Sequence, residues 1–191
     1  MNRRTVLKNL ALVIGGAVLL PSCVHTDGTS YVKLKHIDID EDGQRLVADM
    51  AETVIPKTTT PGAKDLKLPA FVLKMIDDCF NKKDQESFAA GMKAFTEKIK
   101  KEHGKEFGDL DQKQREAILT AIEKDAQKPR PKSAQNTPPD PVTNFYFSVK
   151  WQTINAYTTS QYFMTKEIVY ELVPGRYNVH YPVSKLKLKT A

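Results

Sequence analysis

From Leu46 to Ile122 the apolar residues recur at intervals of three and four, in blocks separated by residues that start or stop helices. That period lays them along one face of an α-helix and excludes the strict alternation of a half-buried strand. The first block is Leu46, Val47, Met50, Ala51, Val54 and Ile55, with Asp40 placed to cap its start and Pro56 to end it. Lys57 to Lys64 is a turn-rich loop around Pro61-Gly62. Pro69 suits the first turn of a second helix, whose apolar face is Phe71, Val72, Met75, Ile76, Cys79 and Phe80. Asp84 is expected to cap a third, with Phe88, Met92, Phe95 and Ile99 as its buried stripe and Gly104 at its C-terminal end. Asp111 with Gln114 forms a capping box for a fourth, facing inward through Ile118, Leu119 and Ile122.

The pattern breaks from Lys128 to Pro141, which holds Pro129, Pro131, Pro138, Pro139 and Pro141 and no apolar cluster, as in an extended loop. Regular structure resumes at Val142. Phe145, Val149, Ile154 and Tyr157 share a face, and Trp151 falls outside that register. Thr158, Thr159 and Ser160 mark a break, and Thr165 to Leu172 reads as a last short helix before Pro174-Gly175 turns the chain into its tail. Tyr177 to Tyr181 has strand character but no second strand to pair with. The expected fold is all-α: a compact bundle of roughly five or six helices with a long Pro-rich loop.

The N-terminus is of another kind. Arg3, Arg4 and Lys8 precede an uncharged run from Leu10 to Leu20. A membrane-spanning helix needs ~20 apolar residues, so this run fits a cleaved signal peptide instead. Arg3-Arg4-Thr5-Val6-Leu7-Lys8 resembles the twin-arginine export signal, with Val6 where Phe is usual; a general secretory signal with two chance arginines is the alternative. Leu20-Pro21-Ser22-Cys23 resembles a lipobox, with Cys23 as the lipidated residue and Pro21 off the usual pattern; cleavage nearby without lipidation is the alternative. The expected organisation is a twin-arginine-type signal over 1–22, a tether over 23–39, a helical domain over 40–181 and a tail over 182–191. The expected location is the periplasmic side of a bacterial membrane, with a lipid anchor.

Composition narrows the chemistry. The net charge is +6, and Arg3, Arg4 and Lys8 of the signal account for half of it. The remainder, with no basic run beside interleaved aromatics, argues against nucleic acid as a partner. Cys23 and Cys79 are the two cysteines, so lipidation of Cys23 leaves no pair for a disulfide, and Cys79 is expected as a buried thiol on its helix's apolar face. His25, His36, His103 and His180 each lack a second His or Cys at ligand spacing. No Gly-x-Gly-x-x-Gly, Walker or Gly-x-Ser-x-Gly motif is present. Asp77-Asp78 are adjacent on a helix and point apart, as on a solvated edge. No catalytic, cofactor-binding or metal-binding residue is assigned. The aromatic residues from Phe145 to Tyr181 are too many for one helical face, and Trp151, Tyr157, Tyr162 and Phe163 are the candidates for a partner interface. Their alternative role is filling the domain's own core.

Two stretches carry a family resemblance. Glu52-Thr53-Val54-Ile55-Pro56 followed by Pro61-Gly62-Ala63, and the later segment with Tyr157, Thr159, Ser160, Tyr170 and Pro174-Gly175, resemble the gluconate 2-dehydrogenase subunit 3 family. The resemblance implies a small accessory subunit without a cofactor of its own. Its partner would be a flavoprotein large subunit of the glucose–methanol–choline type holding FAD and oxidising a sugar or sugar acid, with a cytochrome c as a further subunit. It supplies no catalytic residues. The roles it suggests are export, assembly or maturation of the flavoprotein, or a lipoprotein tether; an enzyme in its own right is the rival reading.

Overall fold

The structure is a computed structural model and describes residues 31–128, 140–168 and 180. The signal segment, Cys23, most of the Pro-rich loop and the tail lie outside the described residues. The described residues form five α-helices and no strand: α1 Glu41–Val54, α2 Leu68–Cys79, α3 Lys82–His103, α4 Gln112–Gln127 and α5 Pro141–Thr158. A 3-10 turn at Phe107–Asp109 joins α3 to α4, and a π-helical turn at Phe163–Glu167 follows α5. No helix among the described residues is long and apolar enough to cross a membrane.

The helix ends follow local chemistry. Asp40 caps α1 by accepting from the Gly43 amide at 2.8 Å, and Asp140 caps α5 through the Thr143 amide at 3.1 Å. Asp111 and Gln114 form the reciprocal capping box of α4. Pro69 sits in the first turn of α2, and Gly104 ends α3 at φ 66°. Asp84 is not the cap of α3. Asn81 is, with its side-chain oxygen 3.0 Å from the Asp84 amide and its side-chain nitrogen donating to the Asp84 carboxylate at 2.7 Å. The helix thus begins one turn earlier than Asp84 suggested.

α5 is the centre of the bundle and touches each of the other four helices, α3 most extensively. Phe145, Val149 and Thr153 are fully buried, with Val142, Tyr146 and Ala156 close to it. The contact with α3 is close because Gly91 has no side chain: a Cβ there would lie 2.4 Å from the Pro141 carbonyl oxygen. Around that contact Phe88 meets Phe145 at 4.9 Å between ring centroids, Phe145 meets Phe95 at 5.8 Å, and Phe95 meets Phe107 at 5.4 Å. Each such buried ring contributes ~1.5–3 kcal/mol over its exposed state. Glu123 of α4 pins the helix from the other side, accepting from Tyr146 and, at 2.5 Å, from Lys150.

Two side chains of α2 depart from expectation, as do two segments elsewhere. Cys79 is exposed, because it is the last residue of the helix and no neighbour covers it; its Sγ lies 3.9 Å from Met75 Sδ. Asp77, expected on a solvated edge, is 1 % exposed. It accepts from the backbone N–H groups of Lys35, His36 and Ile37, the shortest of these bonds being 2.7 Å. Residues 31–39, read from the sequence as tether, therefore lie against the helices. Ile37 and Ile39 are buried in the core, and Gln44 holds the Val32 backbone by both its N–H and its carbonyl. Finally, the last helix, expected over 165–172, begins earlier: Gln161 and Tyr162 are helical, the π turn follows, and Ile168 is extended.

Candidate partner interface

The aromatic segment divides between core and surface. Phe145 and Tyr146 belong to the core. The Tyr146 hydroxyl is pushed well above the usual phenol range, first by burial and then by its bond to Glu123. That holds it protonated as a donor, which is a structural pin and not a reactive group. Trp151, five residues beyond Tyr146 along α5, is 68 % exposed. The bundle covers one side of α5 in this region, and Trp151 sits off that side, as its break in register foretold.

Tyr157, Tyr162 and Phe163 gather where α5 ends. The Tyr157 and Phe163 rings lie 5.3 Å apart, both half-buried. Ser160 fixes the turn between them, donating to the Tyr157 carbonyl at 2.7 Å and accepting from the Phe163 amide at 3.2 Å. Thr158 and Thr159 donate to the Asn155 carbonyl, so the hydroxyl-rich break is a bonded helix terminus. The Tyr162 hydroxyl donates to Glu167 at 2.6 Å, and that bond, with some burial, pushes its pKa up to about 12. A shallow depression separates this turn from Asp65, Leu66 and Lys67. Lys67 there adopts φ 55°, a left-handed conformation that a residue with a Cβ takes at some cost.

The structure thus brings three of the four candidate residues together and sets the fourth apart. Six residues of helix separate Trp151 from Tyr157 by ~9 Å along the axis and about a third of a turn around it. Tyr170, Tyr177 and Tyr181 lie outside the described residues.

The loop that carries the first resembling stretch has a structural job. Glu52 of α1 accepts from the Lys57 amide at 3.1 Å and the Lys64 amide at 2.7 Å, folding the chain back over its carboxylate. Gly62 passes so close that a Cβ would lie 2.3 Å from Glu52 Oε1 and 2.7 Å from the Lys57 backbone nitrogen. Ala63 is fully buried and donates to the Ile55 carbonyl at 2.9 Å. Glu, Pro, Gly and Ala at these positions build a clamp between α1 and α2, and no reacting group is needed to explain them.

His36, Asp77 and Asp78 bring one ligand atom each within 4.8 Å of one another. Burial pushes the Asp77 carboxyl up, but the amides of His36, Lys35 and Ile37 outweigh it and hold the group below the usual carboxylate range. Its oxygens are committed to those amides, and a cation would compete with them. The sequence signal for this role was present: Asp77 falls four residues after Leu73, on the buried side of α2. A carboxylate there requires N–H partners.

The model of the family described as gluconate 2-dehydrogenase subunit 3 matches residues 41–175, from the first residue of α1 past the π turn. No curated protein and no solved structure matches the chain.

Proposed function

Because the chain belongs to the gluconate 2-dehydrogenase subunit 3 family, we propose that it is the non-catalytic small subunit of a flavin-dependent sugar or sugar-acid dehydrogenase complex. In this reading FAD resides in a large subunit of the glucose–methanol–choline type, a cytochrome c carries electrons onward, and the small subunit serves export and assembly of the flavoprotein. A folded flavoprotein needs a route for folded cargo, and Arg3-Arg4 on a companion chain supplies one.

The observation that supports partner binding is the indole of Trp151, 68 % exposed on the helix at the centre of the bundle. A large rigid aromatic side chain in water is the type that forms the energetic centre of protein interfaces. The half-buried rings of Tyr157, Tyr162 and Phe163 form a second aromatic group at the helix end, apart from Trp151.

The test is co-purification of the tagged chain from its native host, read by the flavin absorption spectrum and dye-linked sugar oxidation. The expected result is a flavoprotein in the pull-down, with activity residing in the complex. Sugar oxidation by the chain purified free of any flavoprotein would refute the non-catalytic reading. Tyr162→Ala and Phe163→Ala should each weaken the complex by ~2 kcal/mol or more where the ring is an anchor. Lost thermal stability with unchanged affinity would assign these rings to the domain's own packing.

A tether role is the second reading, and Leu20-Pro21-Ser22-Cys23 favours it. Acyl chains on Cys23 would hold the complex at a membrane, each buried CH₂ contributing ~0.8 kcal/mol.

A further inference from the structure

A groove of about 660 Å³ runs between the N-terminal half of α1, the C-terminal half of α3 and the turn at Phe107–Asp109. Its floor is apolar, formed by Leu46, Met92, Ile99 and Phe107. Its walls are charged, and three internal ion pairs neutralise part of them: Lys64 with Asp49 at 2.8 Å, Lys100 with Glu106 at 3.0 Å and Arg45 with Asp42 at 3.6 Å. The lining charges outside those pairs are Asp40, Glu97 and Asp109 against Lys93. A chain of net charge +6 therefore carries a groove with surplus carboxylate and an apolar floor.

We propose that this groove is the docking site of the chain's own C-terminal segment, residues 184–190. That segment reads Ser184-Lys185-Leu186-Lys187-Leu188-Lys189-Thr190, and from residue 172 onward there is no Asp or Glu side chain. Its composition is the complement of the groove. Laid in extended form, the alternation sends three lysines to one side and two leucines to the other. Leu186 and Leu188 meet the floor, and Lys185, Lys187 and Lys189 meet Glu97, Asp109 and Asp40. Each exposed ion pair is worth little by itself. Tethering compensates, because a segment on the same chain competes at an effective concentration on the order of millimolar.

The test is zero-length carbodiimide cross-linking of the full chain, mapped by mass spectrometry. The Lys100–Glu106 pair, exposed on both sides, serves as the internal control for coupling. The expected products are isopeptide bonds from Lys185, Lys187 or Lys189 to Glu97, Asp109 or Asp40. Their yield should fall about fivefold in 1 M salt, where the Debye length is ~3 Å. Glu97→Lys with Asp109→Lys, both at exposed positions, should abolish links at the groove while the helical circular dichroism is retained. Coupling of the control pair without groove links overturns the proposal, as do tail links made chiefly to carboxylates elsewhere. Links between isotopically heavy and light copies would assign the groove to a second copy of the chain and equally overturn it.

Discussion

Replacing Asp77 by Ala should release the N-terminal strap without dissolving the bundle. The carboxylate receives three backbone amides from 40 to 42 residues earlier in the chain, and its side chain is fully shielded from water. The Ile37 amide bond is buried, and leaving that donor without an acceptor costs ~1–3 kcal/mol. The Lys35 and His36 amides are part-buried, so water recovers some of their bonding and the loss is ~0.5–1.5 kcal/mol each. The expected total is about 3 kcal/mol, which lowers the melting temperature by roughly 10 °C for a domain of this size. Thermal unfolding gives the total, and amide hydrogen exchange localises it. Protection should be lost at Lys35, His36 and Ile37 and kept at Phe95 and Val149. Asp77→Asn preserves shape and one acceptor oxygen and should fall between the two. The pH dependence has a definite sign. The folded-state pKa is depressed, so the stabilisation is present above the unfolded value, ordinarily 3.8, and is lost as pH falls through the folded value. The gap between wild type and Asp77→Ala should therefore close at the acid end. A melting temperature within 2 °C of wild type, roughly 0.5 kcal/mol on the same scale, together with protected amides at 35–37, would refute the latch.

Gly62→Ala should destabilise the chain by about 2–3 kcal/mol, because the new methyl group meets the Glu52 carboxylate and the Lys57 backbone; an unchanged urea midpoint would contradict the clamp. Trp151→Ala should leave the isolated chain within ~0.5 kcal/mol of wild type in chemical denaturation, as expected of an exposed side chain, while weakening flavoprotein capture tenfold or more, on the order of the loss at an interface anchor. Replacing Arg3 and Arg4 by Lys should trap both this chain and its flavoprotein in the cytoplasm, and a flavoprotein that still reaches the periplasm would end the escort reading. Cys23→Ala should move the mature chain into the soluble periplasmic fraction or block its processing; a wild-type N-terminus mapped downstream of Cys23 by mass spectrometry would exclude lipidation.

The helix termini were legible because caps are local. Asp40, Asp111 with Gln114, Pro69 and Gly104 act within one turn of themselves, and their spacing is written in the chain. Asn81 was missed in favour of Asp84 because both residue types accept amide bonds, and the choice depends on where α2 ends. The burial of Asp77 was legible from its place four residues after Leu73, but its partners were not, since they lie 40 to 42 residues away and no local pattern announces them. Cys79 shows the limit of periodicity: it has the right spacing for the apolar face, but the helix stops there and nothing packs over it. Trp151 was legible as an irregularity, a large apolar residue out of step with its neighbours, and the structure places it in water. Its role toward a partner rests on chemistry that one chain by itself does not display.

The position of α5 also governs when the chain can fold. It is the last of the five helices to leave the ribosome, yet it supplies the wall against which α1, α2, α3 and α4 pack. Until residue 158 has emerged, Phe88 and Phe95 have no Phe145 to meet, and the apolar faces of the earlier helices stay open to water. At ~5–20 residues per second that interval lasts several seconds, with exposed surface of the kind that chaperones bind. Collapse then waits on closure of the long connection before Asp140, a non-local step that slows folding relative to a bundle assembled in chain order. A truncation ahead of Pro141 would thus produce four helices without a common core, and the acquisition of structure should be close to all-or-none with respect to α5.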